Sequence, residues 1–290
     1  MDFEAFLQQK GIIPKSIARY QREVAKYENW LENTHDTTPE TATKKDLLEY
    51  LKYIKERRNI SNGTQYQTLL ILRNYYAYLA KEHEIKDITH FIEIRGLKRK
   101  HLYLLFTPEE LDLLCDAYYY YTQEYKPNKR ELHYHPDYKK LLQGHYITLT
   151  LIAYQGLTLM EVENLTQADF DFRKGTVNIR KNLRTAARTL PLEAAQIGSL
   201  LQYYADGEGS PLMPNRNYFE NLSQSLKKIQ PAFRDFKQIR ASRITQWLKM
   251  YGLRKTQHLA GHRYVSSTEN YLANEIETLQ NDMANFHPLN

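Results

Sequence analysis

Cysteine is almost absent from this chain of 290 residues. The single Cys115 has no second thiol for an internal disulfide or a thiolate metal cluster, which excludes both and points to a reducing compartment. Its plain reading is a small buried hydrophobe on a helix. Glycine and proline are sparse, at 11 and 10 residues, too few for a collagen-like or low-complexity chain. No apolar run approaches the ~20 residues of a membrane span, and the N-terminus lacks the charged-then-apolar pattern of a signal peptide. A soluble cytoplasmic protein without a membrane partner is expected. Charge of one sign is short as well. Lys and Arg number 40 against 34 Asp and Glu, a net +6, which suits a polyanion partner and a solvated basic surface about equally.

What is present is helical periodicity and clustered basic groups. The stretch "SIARYQREVAKYENWLEN" places Ile17, Tyr20, Val24, Tyr27 and Leu31 on one helical face, with Ser16 as the expected N-cap. "TKKDLLEYLKYIKERR" sets Leu47, Leu48, Leu51 and Ile54 together, and "TQYQTLLILRNYYAYLAKEH" does the same with Leu69, Leu72, Tyr76 and Leu79. The turn signal "NISNG" separates the last two. Three or four helices in about 90 residues predict a small bundle. The segment "GLKRKHLYLL" breaks the pattern, and "TPEE" then predicts a new helix, with Thr107 as cap, Pro108 at its first position and Glu110 completing a capping box. The expected organisation is a helical domain over 1–96, a basic linker over 97–106 and a second domain over 107–290.

The second block is mixed. "HYITLTLIAYQGL" predicts a buried helix ending near Gly156, and "LMEVENLTQADFDF" a short helix running into an extended piece. "DFRKGTVNIRK" has the form of a hairpin around Arg173, Lys174 and Gly175, and "RTLPL" supplies a third strand. Helical spacing returns in "EAAQIGSLLQYYA", "NYFENLSQSLKKI", "IRASRITQWLKMYG" and "LRKTQHLAG". The tyrosines 118–121 would spread over more than half of a helix circumference, for packing between elements or for base stacking. Basic residues concentrate in "RGLKRKH", "RKNLRTAAR" and "RDFKQIRASR".

The order of a helix bundle, a basic linker, "GLTLMEVENLTQADFDF", a hairpin, "RTLPL", "KQIRASRITQWL" and "LAGHRYVSSTENYL" resembles the tyrosine recombinases, also called phage integrases. The resemblance is weak over the first hundred residues and strong from about 144 to 272. It implies a mainly α chain: an N-terminal helical core-binding (SAM-like) domain plus an α+β catalytic domain with a small antiparallel sheet. The implied partner is double-stranded DNA, bound by a multimer in a bacterial, phage or mobile-element setting. The implied activity is strand breakage and rejoining through a 3′-phosphotyrosine, with no metal or other cofactor.

The chemistry accounts for the residue types. A phosphodiester gathers negative charge as it is attacked, so fixed cations aimed at its non-bridging oxygens supply most of the catalysis. Arginine suits this because its planar fork stays charged and can bind two oxygens. By the resemblance, Tyr271, nine residues beyond His262, is the nucleophile. Arg240 of "KQIR" is the second arginine of the family set, Lys237 occupies the His-or-Lys position, and His262 of "LAGH" hydrogen-bonds a phosphate oxygen. Lys181 is the first choice for the general acid that protonates the leaving 5′ oxygen, with Arg184 second, although "RKNLRTAAR" does not follow the family hairpin pattern closely. Glu161 keeps an acidic position that holds the domain together. Lys98, Arg99, Lys100, Arg184, Arg188 and Arg243 are candidate phosphate contacts.

One position departs. The family box T-G-L-R-x-x-E reads "QGLTLME" here, so Thr158 stands where the first arginine belongs. Loss of one preorganised donor costs roughly 10²–10³ in rate. Either another cation fills the gap, with Arg243, Arg184 and Arg188 nearest, or the protein binds DNA without cutting it efficiently. Three classes follow: an active recombinase, a catalytically impaired DNA-binding or architectural subunit beside a competent recombinase, and a helical DNA- or RNA-binding regulator of other ancestry. The terminal segment carries Ile276, Leu279 and Met283 at helical spacing, suited to docking on a neighbouring subunit or to packing in cis.

Overall fold

The computed structural model describes residues 2–57, 59–96, 104–182, 185–205 and 217–272. The chain forms two compact units, Met1–His101 and Leu102–Asn290. Among the described residues no helix is long and apolar enough to cross a membrane.

The first unit contains α1 (Phe3–Gln9), α2 (Pro14–His35), α3 (Lys44–Arg57) and α4 (Asn62–His83). The expected cap at Ser16 is corrected: α2 starts three residues earlier, with Pro14 in its first turn and Ile13 as N-cap. Proline fits there because the first helical N–H groups have no intrahelical partner and its φ is already helical. Ser61 caps α4 by accepting from the Thr64 amide, so the turn signal runs into the helix. Val24, Tyr27, Leu31, Leu47, Leu51, Ile54, Leu69, Leu72, Tyr76 and Leu79 share one core. Leu48 does not, being 46% exposed, and Tyr50 takes the buried place. A step of one residue turns a side chain about 100° round the helix, and with Leu47, Tyr50, Leu51 and Ile54 facing the core, Leu48 falls outside the buried stripe. The Tyr27 and Tyr76 hydroxyls meet at 3.0 Å inside this core, which satisfies two polar groups that burial would otherwise penalise.

The second unit opens with α5 (Pro108–Glu124), where Thr107 and Glu110 form the capping box that the sequence predicts. After it come α6 (Lys129–Tyr134), α7 (Tyr138–Gln155), α8 (Leu159–Glu163), a 3-10 turn over Gln167–Asp169, β1 (Phe170–Asp171), β2 (Thr176–Ile179), β3 (Arg188–Pro191), α9 (Ala194–Tyr204), α10 (Tyr218–Ile229) and α11 (Phe236–Ala260). Helix α7 is buried along most of its length and packs against α5, α9 and α11. Gly252 (φ 72°, ψ −177°) interrupts α11 and separates the two helical segments read from sequence. Of the tyrosine run, Tyr118 is buried and Tyr121 packs on the core, whereas Tyr120 is 65% exposed.

The sheet has the order β1-β2-β3 and is antiparallel throughout. Val177 pairs with Leu190 and Ile179 with Arg188. Side chains alternate faces along a strand, so Arg188 shares the inward face with Leu190, and both are buried. An arginine at the inward-facing start of a strand calls for internal partners.

Candidate active site

The partners of Arg188 define the site. Thr158 is the N-cap of α8: its hydroxyl accepts from the Glu161 amide, while its own amide and hydroxyl donate to Glu161 Oε2 at 2.8 and 2.9 Å. This capping box turns the Glu161 carboxylate back over the start of the helix. Glu161 Oε1 accepts from Arg188 Nη1 at 2.6 Å and from the Thr185 hydroxyl at 2.8 Å. Arg240 Nη1 stands 4.0 Å from Glu161 Oε2. Burial alone would raise the Glu161 pKa, but the bond and charge of Arg188, the Thr158 amide and the charge of Arg240 outweigh it and hold the group at about 2.

Both arginines also grip the end of α11. Arg188 Nε donates to the Leu259 carbonyl at 2.8 Å, and Arg240 Nη2 donates to the Ala260 carbonyl at 2.8 Å. Gly261 follows in the left-handed region at φ 68°, where a Cβ would meet the Arg188 guanidinium. The chain then turns to His262, which pairs with Thr185 in an isolated bridge, while the Ala186 amide donates to the Gly261 carbonyl at 2.9 Å. The β2–β3 connection and the 259–262 turn are thereby fixed to each other.

His262 Nε2 lies 3.4 Å from Arg240 Nη2, and its Nδ1 meets the Thr268 hydroxyl at 2.8 Å. Burial, then the charges of Arg240 and Arg188, push the imidazole down to about 4, so it is neutral near pH 7. Tyr271, on the helical segment 265–272, stacks on His262 with ring centres 5.8 Å apart and planes at 13°. It is half-buried and packs against the cluster of Ile244, Trp247 and Leu248. Burial lowers the Arg240 pKa, opposed by Glu161 and Tyr271.

Glu161, Arg188, Arg240, His262 and Tyr271 are thus gathered from α8, β3, α11 and the segment after it. Lys181 is exposed and lines a cavity together with Glu161 and Asp169. The preceding Arg180 is anchored by donating to both carboxylate oxygens of Asp169, at 2.8 and 3.0 Å. Lys237 is exposed on the first turn of α11, one turn before Arg240. Arg243 lies elsewhere: its Nε donates to the Ala153 carbonyl at 2.6 Å and its guanidinium covers the Tyr154 ring. The Arg188 side chain is 0% exposed, so in this structure it serves internal groups and not an exposed phosphate track. Lys98, Arg99, Lys100, Arg184 and the helical spacing at Ile276, Leu279 and Met283 fall outside the described residues. Sequence reasoning missed Thr185, Thr268 and Gly261. Only Gly261, in the position after a helix where a left-handed cap is common, carried a readable signal.

Residues 1–87 match the family described as phage integrase, N-terminal SAM-like domain. A resolvase of Bacillus thuringiensis, TnP I, is 19% identical over 212 residues, spanning 70% of this chain and 66% of that protein. The fold is similar to that of the XerH site-specific recombinase bound to a palindromic difH substrate, with TM-score 0.70 and 17% identity over 93% of this chain and 79% of that one. It is similar also to the Tn1549 transposon integrase in complex with a circular intermediate DNA, with TM-score 0.64 and 15% identity over 93% of each chain. A lambda integrase dimer bound to a core site aligns with TM-score 0.61 and 15% identity over 93% of this chain and 74% of that one. The first 87 residues thus match the phage integrase SAM-like domain, and the chain as a whole shares the fold of these recombinase and integrase structures.

Proposed function

We propose that this chain is a site-specific DNA recombinase that binds double-stranded DNA and breaks and rejoins strands through Tyr271. The observation that carries the reading is the stacking of Tyr271 on His262, itself held beside Arg240. In this reaction Tyr271 Oη bonds to the scissile phosphorus and passes its proton to solvent water, and the bond to the 5′ oxygen breaks. Lys181, exposed two residues past β2, protonates that oxygen. Arg240 and Lys237 balance the charge on the non-bridging oxygens, and neutral His262 hydrogen-bonds one of them. The 3′-phosphotyrosine stores the bond energy, so a 5′ hydroxyl of another strand can reverse the step without a nucleotide. Paired half-sites call for a multimer on DNA.

A second reading, a DNA-binding or architectural subunit beside a competent recombinase, is favoured by one observation: Thr158 offers no charge and spends its polar groups on Glu161. Nicked suicide duplexes taken from the DNA flanking the protein's own gene separate the two. A covalent protein–DNA band in the native protein that Tyr271→Phe abolishes is expected. Tight DNA binding with no band from the native protein supports the architectural role.

A further inference from the structure

The recombinase reading leaves a charge unaccounted for at position 158, and three cations compete to replace it. Arg184 lies outside the described residues, and Arg243 is engaged with Ala153 and Tyr154. Arg188 reaches Glu161, donating from Nη1 at 2.6 Å. Its Nη2 and Arg240 Nη1 are both buried without a hydrogen-bond partner among the described residues. Buried guanidinium donors are rarely left unpartnered unless a ligand or a function uses them.

The charges can be counted around Glu161. With Arg188 present, two guanidinium groups face one carboxylate and the cluster keeps one positive charge. Without Arg188, Glu161 and Arg240 would cancel, 4.0 Å apart, and the arginine aimed at the phosphate would be neutralised by its own neighbour. Geometry adds a second effect. Arg188 holds the Leu259 carbonyl and lies beneath Gly261, and the adjacent residues present Arg240's acceptor, Ala260, and His262.

We infer that Arg188 replaces the arginine missing at position 158, as a positioning residue: from the inward face of β3 it neutralises Glu161 and fixes the 259–262 turn, leaving the charge of Arg240 to the scissile phosphate. The inference rests on the recombinase reading and deepens it. Thr158, in turn, is free to be the helix cap that orients Glu161 toward Arg188.

The test uses the full chain and single-turnover formation of the covalent complex on suicide duplexes. Arg188→Met is expected to slow the step by roughly 10²–10³, with half-site affinity within about threefold because the side chain is fully buried. Arg188→Met combined with Glu161→Gln removes both charges, restores the net positive charge, and is expected to recover to within about tenfold of the native rate. A neutral methylphosphonate at the mapped scissile position needs less positive charge, so the deficit of Arg188→Met is expected to shrink there by about tenfold or more. A merely structural role would leave both deficits unchanged, and that result overturns the inference, as does an Arg188→Met rate within about threefold of native. Thr158→Arg in the otherwise native chain avoids any folding defect at Arg188. It is expected to gain less than about threefold, because the charge is already supplied, and a gain of ~10² or more overturns the inference while upholding the recombinase reading. If neither the native protein nor Thr158→Arg forms a covalent complex, both readings fall together.

Discussion

Arg188 and Glu161, 27 residues apart in sequence, meet at 2.6 Å with side chains 0% and 1% exposed. A buried ion pair is weak evidence of net stabilisation, since desolvation of both groups offsets their attraction, but removing one partner strands a charge. The depressed Glu161 value of about 2 makes this pair a pH-dependent element of stability. A carboxylate whose folded value lies below its unfolded value stabilises the fold above the unfolded pKa. That contribution is lost as pH falls through the folded one. The window therefore runs from about pH 4.5 down to about pH 2, and the contribution is about 3 kcal/mol. Urea titrations of the native protein and Glu161→Gln at pH 7, 4.5 and 3 check it: the native protein should lose stability more steeply than the variant across that window. Parallel curves would rule the linkage out.

His262 gives a second titration with the same sign for a different reason. Its imidazole is held at about 4 by burial and by the charges of Arg240 and Arg188, below the ordinary histidine value near 6.5. Protonation therefore favours the unfolded state, and stability is lost as pH falls from about 6.5 to about 4. The proton resonances of the His262 ring, assigned by comparison with His262→Asn, should titrate near pH 4. In Arg188→Met the midpoint should move up, because one of the depressing charges is gone. A midpoint near 6.5 in the native protein would contradict the buried placement.

Thr268 tests whether the histidine ring must be aimed. Its hydroxyl meets Nδ1 at 2.8 Å and the residue is wholly buried. Thr268→Val keeps the shape and removes the hydrogen bond. The expected loss in covalent-complex formation is roughly ten- to a hundredfold, the scale of a slightly misplaced catalytic group, with little change in DNA affinity. Equal rates for the two proteins would show that the ring is held by its stacking on Tyr271 alone.

Much of this arrangement is legible in the sequence, and the parts that are not have a common cause. The apolar stripes of α2 and α4, the capping box at Thr107 and the hairpin around Gly175 are local signals, set by periods of 3.6 or 2 and by turn chemistry. They specify where elements lie. The short α1 and α6 carry too few turns for periodicity to register, and Leu48 is misplaced because a run of two leucines leaves the inward one ambiguous. The grouping of Arg240, His262 and Tyr271 follows from a family resemblance. The Arg188–Glu161 contact depends on tertiary placement: strand alternation points Arg188 inward, and the α8 capping box turns Glu161 to meet it. No local pattern encodes a meeting between β3 and the start of α8. Alternation in "RTLPL" supplies half of the answer.

Gly261 offers a last test, because two separate penalties fall on the same atom. At φ 68° an alanine would adopt a strained left-handed conformation, and its Cβ would come within 2.7 Å of Arg188 Cζ. Gly11 has a similar φ of 73°, but a Cβ added there would meet nothing within 4 Å, so Gly11→Ala isolates the backbone strain, about 1 kcal/mol. Gly261→Ala adds displacement of a buried guanidinium from the Leu259 carbonyl and from Glu161, and its cost should reach about 3 kcal/mol or more. Urea denaturation gives the difference between the two variants. Cleavage supplies the sharper discrimination. A methyl group at 261 moves the arginine that frees Arg240, so covalent-complex formation should fall by ~10², whereas Gly11→Ala should cleave at the native rate. If Gly261→Ala were destabilised yet cleaved normally, the turn would be a structural support with no hold on the chemistry.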